Sequence, residues 1–233
     1  MPIAQINDIA IYYEVRGSGA PLLVIPGLAM DISELETLIR PLSNHYRVIA
    51  LDNRGAGRSE KPDAPYSIEL MAGDTAGLMD AIGVAHTDVL GISMGGRIAL
   101  ELALDYSRLV DRLILIGTSA TPRTRMHMSW PMHLLATLRW LPGLRGKYSQ
   151  PRYAFARQLE ASLRFACAER LPQIDVPTLI LHGRRDKTAP YGSARAMQAG
   201  VSRAQLETFR GGHLFFLMGE QRRVVDEITT FLG

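Results

Sequence analysis

Apolar residues along this chain fall into two textures, short unbroken runs and longer stretches with helical spacing, and the two alternate. "AQI" and "IAIYYEV" flank Asn7 and Asp8 and mix apolar with polar positions. Asparagine and aspartate suit a tight turn, so residues 3–15 are predicted to form an antiparallel hairpin. Beyond a "GSGA" loop, "PLLVIP" is continuously apolar, the pattern of a strand covered on both faces. "DISELETLIRPLS" then reads as a helix capped by Asp31 or Ser33, "YRVIALD" as a strand, "SIELMAGDTAGLMDAIG" as a helix and "DVLGI" as a strand. "GGRIALELALDY" is a helix and "DRLILIG" a strand. After an interruption come strand "PTLILHG", helix "GSARAMQAG", strand "AQLETF" and helix "EQRRVVDEITTFL". Repeated β-α units predict an α/β fold, a mostly parallel eight-stranded sheet with helices on both faces.

The interruption covers 121–172. "MHMSWPMHLLATLRWLPGL" and "YAFARQLEASLRFACAERL" read as two or three helices separated by proline and glycine. An insertion between core strands is expected over the carboxyl ends of the sheet, where α/β folds bind ligands. The predicted organisation is a core from 1–120 and 173–233 with a short helical cap at 121–172.

Composition narrows the function classes. The chain has 233 residues, 47% hydrophobic and 21% charged, enough apolar content for one large buried core. No apolar run reaches the ~18 residues of a membrane span, and "MPIAQINDIAIYYEV" lacks the unbroken apolar segment of a secretory signal. Cys167 is the only cysteine, which excludes an intrachain disulfide and suits a reducing compartment, so a cytoplasmic location is expected. Net charge is +3 but unevenly placed: 121–172 holds nine basic and two acidic residues, a balance of +7, leaving about −4 elsewhere. No Lys/Arg block is interleaved with aromatics, so nucleic acid is not an expected partner; binding of the basic cap to a membrane surface is a further, less expected alternative. The sequence assigns no oligomeric state.

Candidate chemistry centres on Gly91-Ile92-Ser93-Met94-Gly95, a G-x-S-x-G pattern between a predicted strand and a predicted helix. A turn that sharp holds the serine in a strained conformation with its hydroxyl clear of the sheet edge, and glycines beside it avoid collision with neighbouring elements. The plainer alternative is a turn serine that caps a helix. A neutral hydroxyl is a poor nucleophile and needs a base. His213, in "RGGHLFF", follows the last predicted strand and is the candidate. His182 ends a strand and reads as structural, His45 and His86 lie in connections, and His127 and His133 lie in the cap. For the orienting carboxylate, Asp186 in "LHGRRDKTAP" follows a strand, whereas Asp111 and Asp175 precede theirs and sit at the wrong sheet edge. The alternative for Asp186 is a loop pairing with Arg184 or Arg185.

With these residues in this order, the chain resembles the α/β-hydrolase superfamily over essentially its whole length. The resemblance is to single-domain esterases, lactonases and C–C hydrolases with a cap after the sixth strand. "LDNRGAGRSEKP" is similar to that family's D-x-R-G-x-G-x-S loop, here Asp52, Arg54, Gly55, Gly57 and Ser59. The resemblance implies that Asp52 and Arg54 hold backbone beside the active site, with Ser59 a minor candidate for chemistry. It also implies an oxyanion hole from the backbone N–H groups of Leu28 and Met94. Relatives carry His-Gly after the third strand; here Pro26 replaces the histidine and Gly27 is kept.

The implied reaction is acyl transfer from a small ester or lactone to water, without metal or organic cofactor. Serine at the elbow argues against haloalkane dehalogenases and epoxide hydrolases, which use aspartate there. C–C hydrolysis or enol-lactone hydrolysis of an anionic ring-cleavage metabolite is the alternative reaction. A slow-turnover receptor is the alternative class. Trp130, Met132 and Leu135 of the cap, with Leu214, are expected to line the pocket, the alternative for the cap residues being simply to pack the cap against the core. The cap arginines are expected either to clamp a carboxylate substrate or to be solvated surface charge.

Overall fold

A computed structural model describes residues 2–122, 148 and 150–233. The expected wall of Trp130, Met132 and Leu135 lies outside the described residues. Strands β1 (Ile3–Ile6) and β2 (Ile9–Arg16) form the hairpin, with Asn7 in the left-handed region at φ 50°. The remaining strands are β3 (Pro21–Ile25), β4 (Arg47–Leu51), β5 (Thr87–Ile92), β6 (Val110–Ile116), β7 (Thr178–Gly183) and β8 (Ala204–Phe209). They complete an eight-stranded sheet in the order β1-β2-β4-β3-β5-β6-β7-β8. β2 runs antiparallel to both of its neighbours, and all other pairs are parallel.

Side-chain alternation along these strands explains their unbroken apolar runs. Leu23, Ile25, Ile49, Leu51, Leu113 and Leu115 point into one apolar cluster; Leu22, Val24, Val48, Ala50, Ile114 and Ile116 point into the other. Both faces are covered, so neither alternate set can be polar. Helices α2 (Ile68–Ala81), α3 (Met94–Asp105) and α5 (Tyr191–Gly200) cover the first face. Helices α1 (Glu36–Leu42) and α6 (Gln221–Leu232) cover the second. The helix α4 (Arg152–Arg164) lies in the interruption.

Local signals account for most boundaries. Ser67 caps α2 by accepting from Leu70 N–H at 3.1 Å. Of the two caps proposed for the first helical stretch, Asp31 is the one used, in a capping box with Glu34. That stretch is not one helix: Ile32–Leu35 is a 3-10 turn ahead of α1, which puts the buried Ile32 and Leu35 on one side. The stretch 153–171 also departs from the helical pattern. α4 stops at Arg164, Phe165 is extended, and Ala168–Gln173 is a 3-10 turn. Phe165, Cys167 and Leu171 are buried against the first cluster, and Cys167 N–H donates to Ala120 C=O at 2.9 Å. Core packing overrides helix propensity there.

One ion pair is fully enclosed. Arg54 donates from Nε to Asp74 Oδ2 at 2.7 Å and from Nη2 to Asp74 Oδ1 at 2.9 Å, with exposed Asp8 at 3.1 Å. Burial works against the charged guanidinium, but bonds to Asp74 and Asp8 outweigh it and raise its pKa. Removing one partner of such a pair leaves an uncompensated buried charge. Asp74→Asn should therefore cost about 3–5 kcal/mol in urea denaturation, whereas Asp8→Ala should leave the midpoint nearly unchanged. Cys167 gives a second test. Burial pushes its thiol up to about 12, so maleimide at pH 8 should modify the unfolded chain and not the native one.

Candidate active site

Ser93 sits between β5 and α3 with φ 54° and ψ −111°, a conformation that costs roughly 1–3 kcal/mol for a residue with a side chain. Its surroundings hold it there. Ser93 N–H donates to Ile116 C=O at 2.8 Å; Ser93 C=O accepts from Gly96 N–H at 3.0 Å and from Thr118 Oγ1 at 2.7 Å. The glycines are steric necessities. A Cβ at Gly91 would lie 2.4 Å from Gly95 O, and one at Gly95 would lie 2.1 Å from Ile25 O.

The three expected triad residues meet at the carboxyl ends of their strands. His213 Nε2 is 2.9 Å from Ser93 Oγ, and His213 Nδ1 is 2.7 Å from Asp186 Oδ2. An ionised carboxylate only accepts, so Nδ1 carries the proton and Nε2 is left to accept from the serine hydroxyl. The other oxygen, Asp186 Oδ1, accepts from the N–H groups of Thr188 and Ala189, both at 2.8 Å. The carboxylate is thus oriented by backbone, not by Arg184 or Arg185. The loop after β6 also reaches the imidazole: a Cβ on Gly117 would stand 3.5 Å from His213 Nδ1. His182 is fully buried, 3.6 Å from Asp186 Oδ2, with Nε2 2.7 Å from Ala189 C=O and no partner on Nδ1. Burial lowers its pKa, so it is neutral and donates from Nε2 to that carbonyl.

Of the expected oxyanion donors, Met94 follows Ser93 directly in the chain and Leu28 lies in the turn after β3. A Cβ at Gly27 would be 3.4 Å from Ser93 Cβ, which sets the turn after β3 against Ser93. Among the described residues, neither Leu28 N–H nor Met94 N–H has a protein acceptor. The turn is supported by buried polar groups. Asn53 Nδ2 donates to Pro26 C=O at 2.9 Å, Asp52 Oδ1 accepts from Ile32 N–H at 2.8 Å, and Gln158 Oε1 accepts from Ala29 N–H at 3.0 Å. Asp52 therefore holds backbone beside the site. Arg54 contributes its C=O, which accepts from Gln158 Nε2 at 2.7 Å.

Ser59 is not available for chemistry. It is buried, donating to Asp52 C=O and accepting from Tyr12 N–H. Leu214 is half-buried and packs against the second apolar cluster. Sequence reasoning missed Asn53, Gln158 and Arg97. Arg97, buried on α3, donates to Ser119 Oγ at 2.8 Å and to Ser162 C=O, tying α3 to α4. No local pattern marks them, because each bond joins segments far apart in the chain.

Comparison with known proteins agrees with this geometry at the level of family. A model of the alpha/beta hydrolase fold matches residues 20–164, more than half the chain. The enol-lactonase from Burkholderia xenovorans LB400 superposes with a TM-score of 0.86 at 26% identity, over 99% of each chain. An esterase from Exiguobacterium antarcticum gives 0.85 at 26% identity, over 98% of each. A 2-hydroxymuconate semialdehyde hydrolase from a Pseudomonas species is 29% identical, over 83% of this chain and 80% of its own. The chain belongs to the alpha/beta hydrolase fold family. Hydrolysis is the reaction class these relatives share.

The elbow itself can be tested. Gly95→Ala forces a Cβ into the Ile25 carbonyl and should destabilise the protein by at least about 2 kcal/mol, read as a lowered thermal midpoint.

Proposed function

We propose that this protein is a serine hydrolase that cleaves a small carboxylic ester or lactone through an acyl-enzyme. The observation that carries the reading is the continuous chain of hydrogen bonds from Ser93 Oγ through His213 to Asp186. In the proposed cycle His213 Nε2 takes the hydroxyl proton as Ser93 Oγ bonds to the carbonyl carbon, and Asp186 stabilises the imidazolium. The backbone N–H groups of Leu28 and Met94 receive the oxyanion. As the carbonyl re-forms, the C–O bond to the leaving group breaks and His213 protonates the departing alkoxide. Water then repeats the sequence on the acyl-enzyme and frees the acid.

Residues 121–172 are proposed to act as a cap that selects substrate. Support comes from Gln158, whose bonds to Ala29 N–H and Arg54 C=O put α4 beside the loops that follow β3 and β4. The excess of positive charge in that segment suits an anionic substrate. Among the described residues no helix is long and apolar enough to cross a membrane. The single buried cysteine fits a cytoplasmic enzyme.

A second reading, hydrolysis of a carbon–carbon bond in an anionic ring-cleavage metabolite, is supported by the 2-hydroxymuconate semialdehyde hydrolase relative. A panel of graded esters, lactones, enol-lactones and a ring-cleavage dienoate separates the two. Ester or lactone turnover is expected to exceed dienoate turnover, and the reverse order would favour the second reading. Ser93→Ala should lower kcat by at least about 10⁴-fold with the fold intact. Full activity in that variant would refute the nucleophile. Continuous turnover, rather than one burst and arrest, is expected of an enzyme as opposed to a receptor.

A further inference from the structure

The turn after β3 carries one proposed oxyanion donor, and it is hydrogen-bonded to a side chain 129 residues away. Met30 N–H donates to Gly27 C=O at 3.2 Å and closes a four-residue turn. Its third residue, Ala29, has φ 60°, while Leu28 stays outside the left-handed region. That combination defines a type II turn, whose third position favours glycine because a Cβ is strained there. The unstrained alternative is a type I turn, in which the Leu28–Ala29 peptide is rotated over and Ala29 returns to negative φ. Nothing in the turn's own sequence selects the strained form.

Gln158 supplies the selection. Its side chain is fully buried on α4, and Oε1 accepts from Ala29 N–H at 3.0 Å. The amide cannot turn round, because Nε2 donates to Arg54 C=O at 2.7 Å. Gln150 reinforces this orientation, donating from Nε2 to Gln158 Oε1 at 3.1 Å and to Gly55 C=O at 2.9 Å. Rotating the Leu28–Ala29 peptide would break the bond to Gln158 and strand a buried N–H. It would also turn the Leu28 C=O to the opposite face of the turn, beside the N–H proposed as an oxyanion donor, and free the loop that carries that donor.

We propose that Gln158 is a positioning residue for the oxyanion hole. It holds the Gly27–Met30 turn in its strained type II form from α4, in the segment between β6 and β7, so the proposed substrate selection and oxyanion geometry share one helix. The proposal rests on the serine-hydrolase reading above. Losing an oxyanion donor outright costs roughly 10²–10³ in rate, and a turn that is only partly in register should cost less.

The test follows the rate at which a fluorophosphonate probe labels Ser93, which needs no knowledge of the natural substrate. Gln158→Leu should slow labelling by about 10- to 100-fold, and with any ester turned over it should lower kcat while KM stays within about threefold. Adding Ala29→Gly should restore most of the labelling rate, because glycine holds the left-handed conformation without the clamp. A merely structural glutamine would show no such rescue. Should Gln158→Leu fail to fold, Gln150→Leu, at the half-buried edge, should slow labelling by a few-fold with the same rescue. Wild-type labelling rates in the folded variants, or slowing that Ala29→Gly leaves untouched, would overturn the role of Gln158. Absence of Ser93-dependent labelling in the unaltered protein would instead remove the nucleophile reading, and this proposal with it.

Discussion

The first turn of α3 lies against the end of β3 with no room for a side chain between them, and the geometry around Ser93 follows from that contact. A Cβ at Gly95 would meet the Ile25 carbonyl at 2.1 Å and the Pro26 carbonyl at 2.6 Å. With the helix start that close to the sheet, the chain must turn within one residue, and Ser93 takes the strained backbone. The strain is offset by bonds from three directions, to Ile116, Gly96 and Thr118, each contributing on the order of 1 kcal/mol. The same contact brings the turn after β3 beside the hydroxyl. Ser93 and that turn are therefore one packing unit.

Parallel strands supply the rest of the arrangement. Because β3 and β5 through β8 all run the same way, their carboxyl ends open at one edge, and the residues that follow them converge without long loops. Ser93, Gly117, Asp186 and His213 follow β5, β6, β7 and β8 in turn. Electrostatics is kept simple there. Asp186 is held by two backbone N–H groups, and among the described residues the imidazole hydrogen-bonded to it is that of His213, while the neutral His182 donates to Ala189 C=O instead.

Relatives that share this framework carry names as different as enol-lactonase, esterase and semialdehyde hydrolase. A constant framework with varied chemistry is what a site grafted on a fold predicts. The segment between β6 and β7 interrupts the β-α alternation, and its helix α4 is joined to the rest of the fold through Gln158 and through Arg97, a direct route to the Ser93 region.

Much of this was legible in the residues alone. Unbroken apolar runs marked the parallel strands because both sheet faces are buried, and spacing marked the helices. Position after a strand singled out Ser93, Asp186 and His213, which the fold brings to 2.9 and 2.7 Å of one another. What stayed hidden were the polar side chains that hold the loops. Gln158 sits in a stretch that its sequence marks only as helical, and its partners at Ala29 and Arg54 lie 129 and 104 residues away. Arg54 gave no sign that Asp74 would enclose it. Local sequence determined which segments are strands, helices and turns, because backbone propensity and burial periodicity act over a few residues. Only the tertiary structure decided which buried donors and acceptors meet, because that pairing exists only once distant segments are packed together.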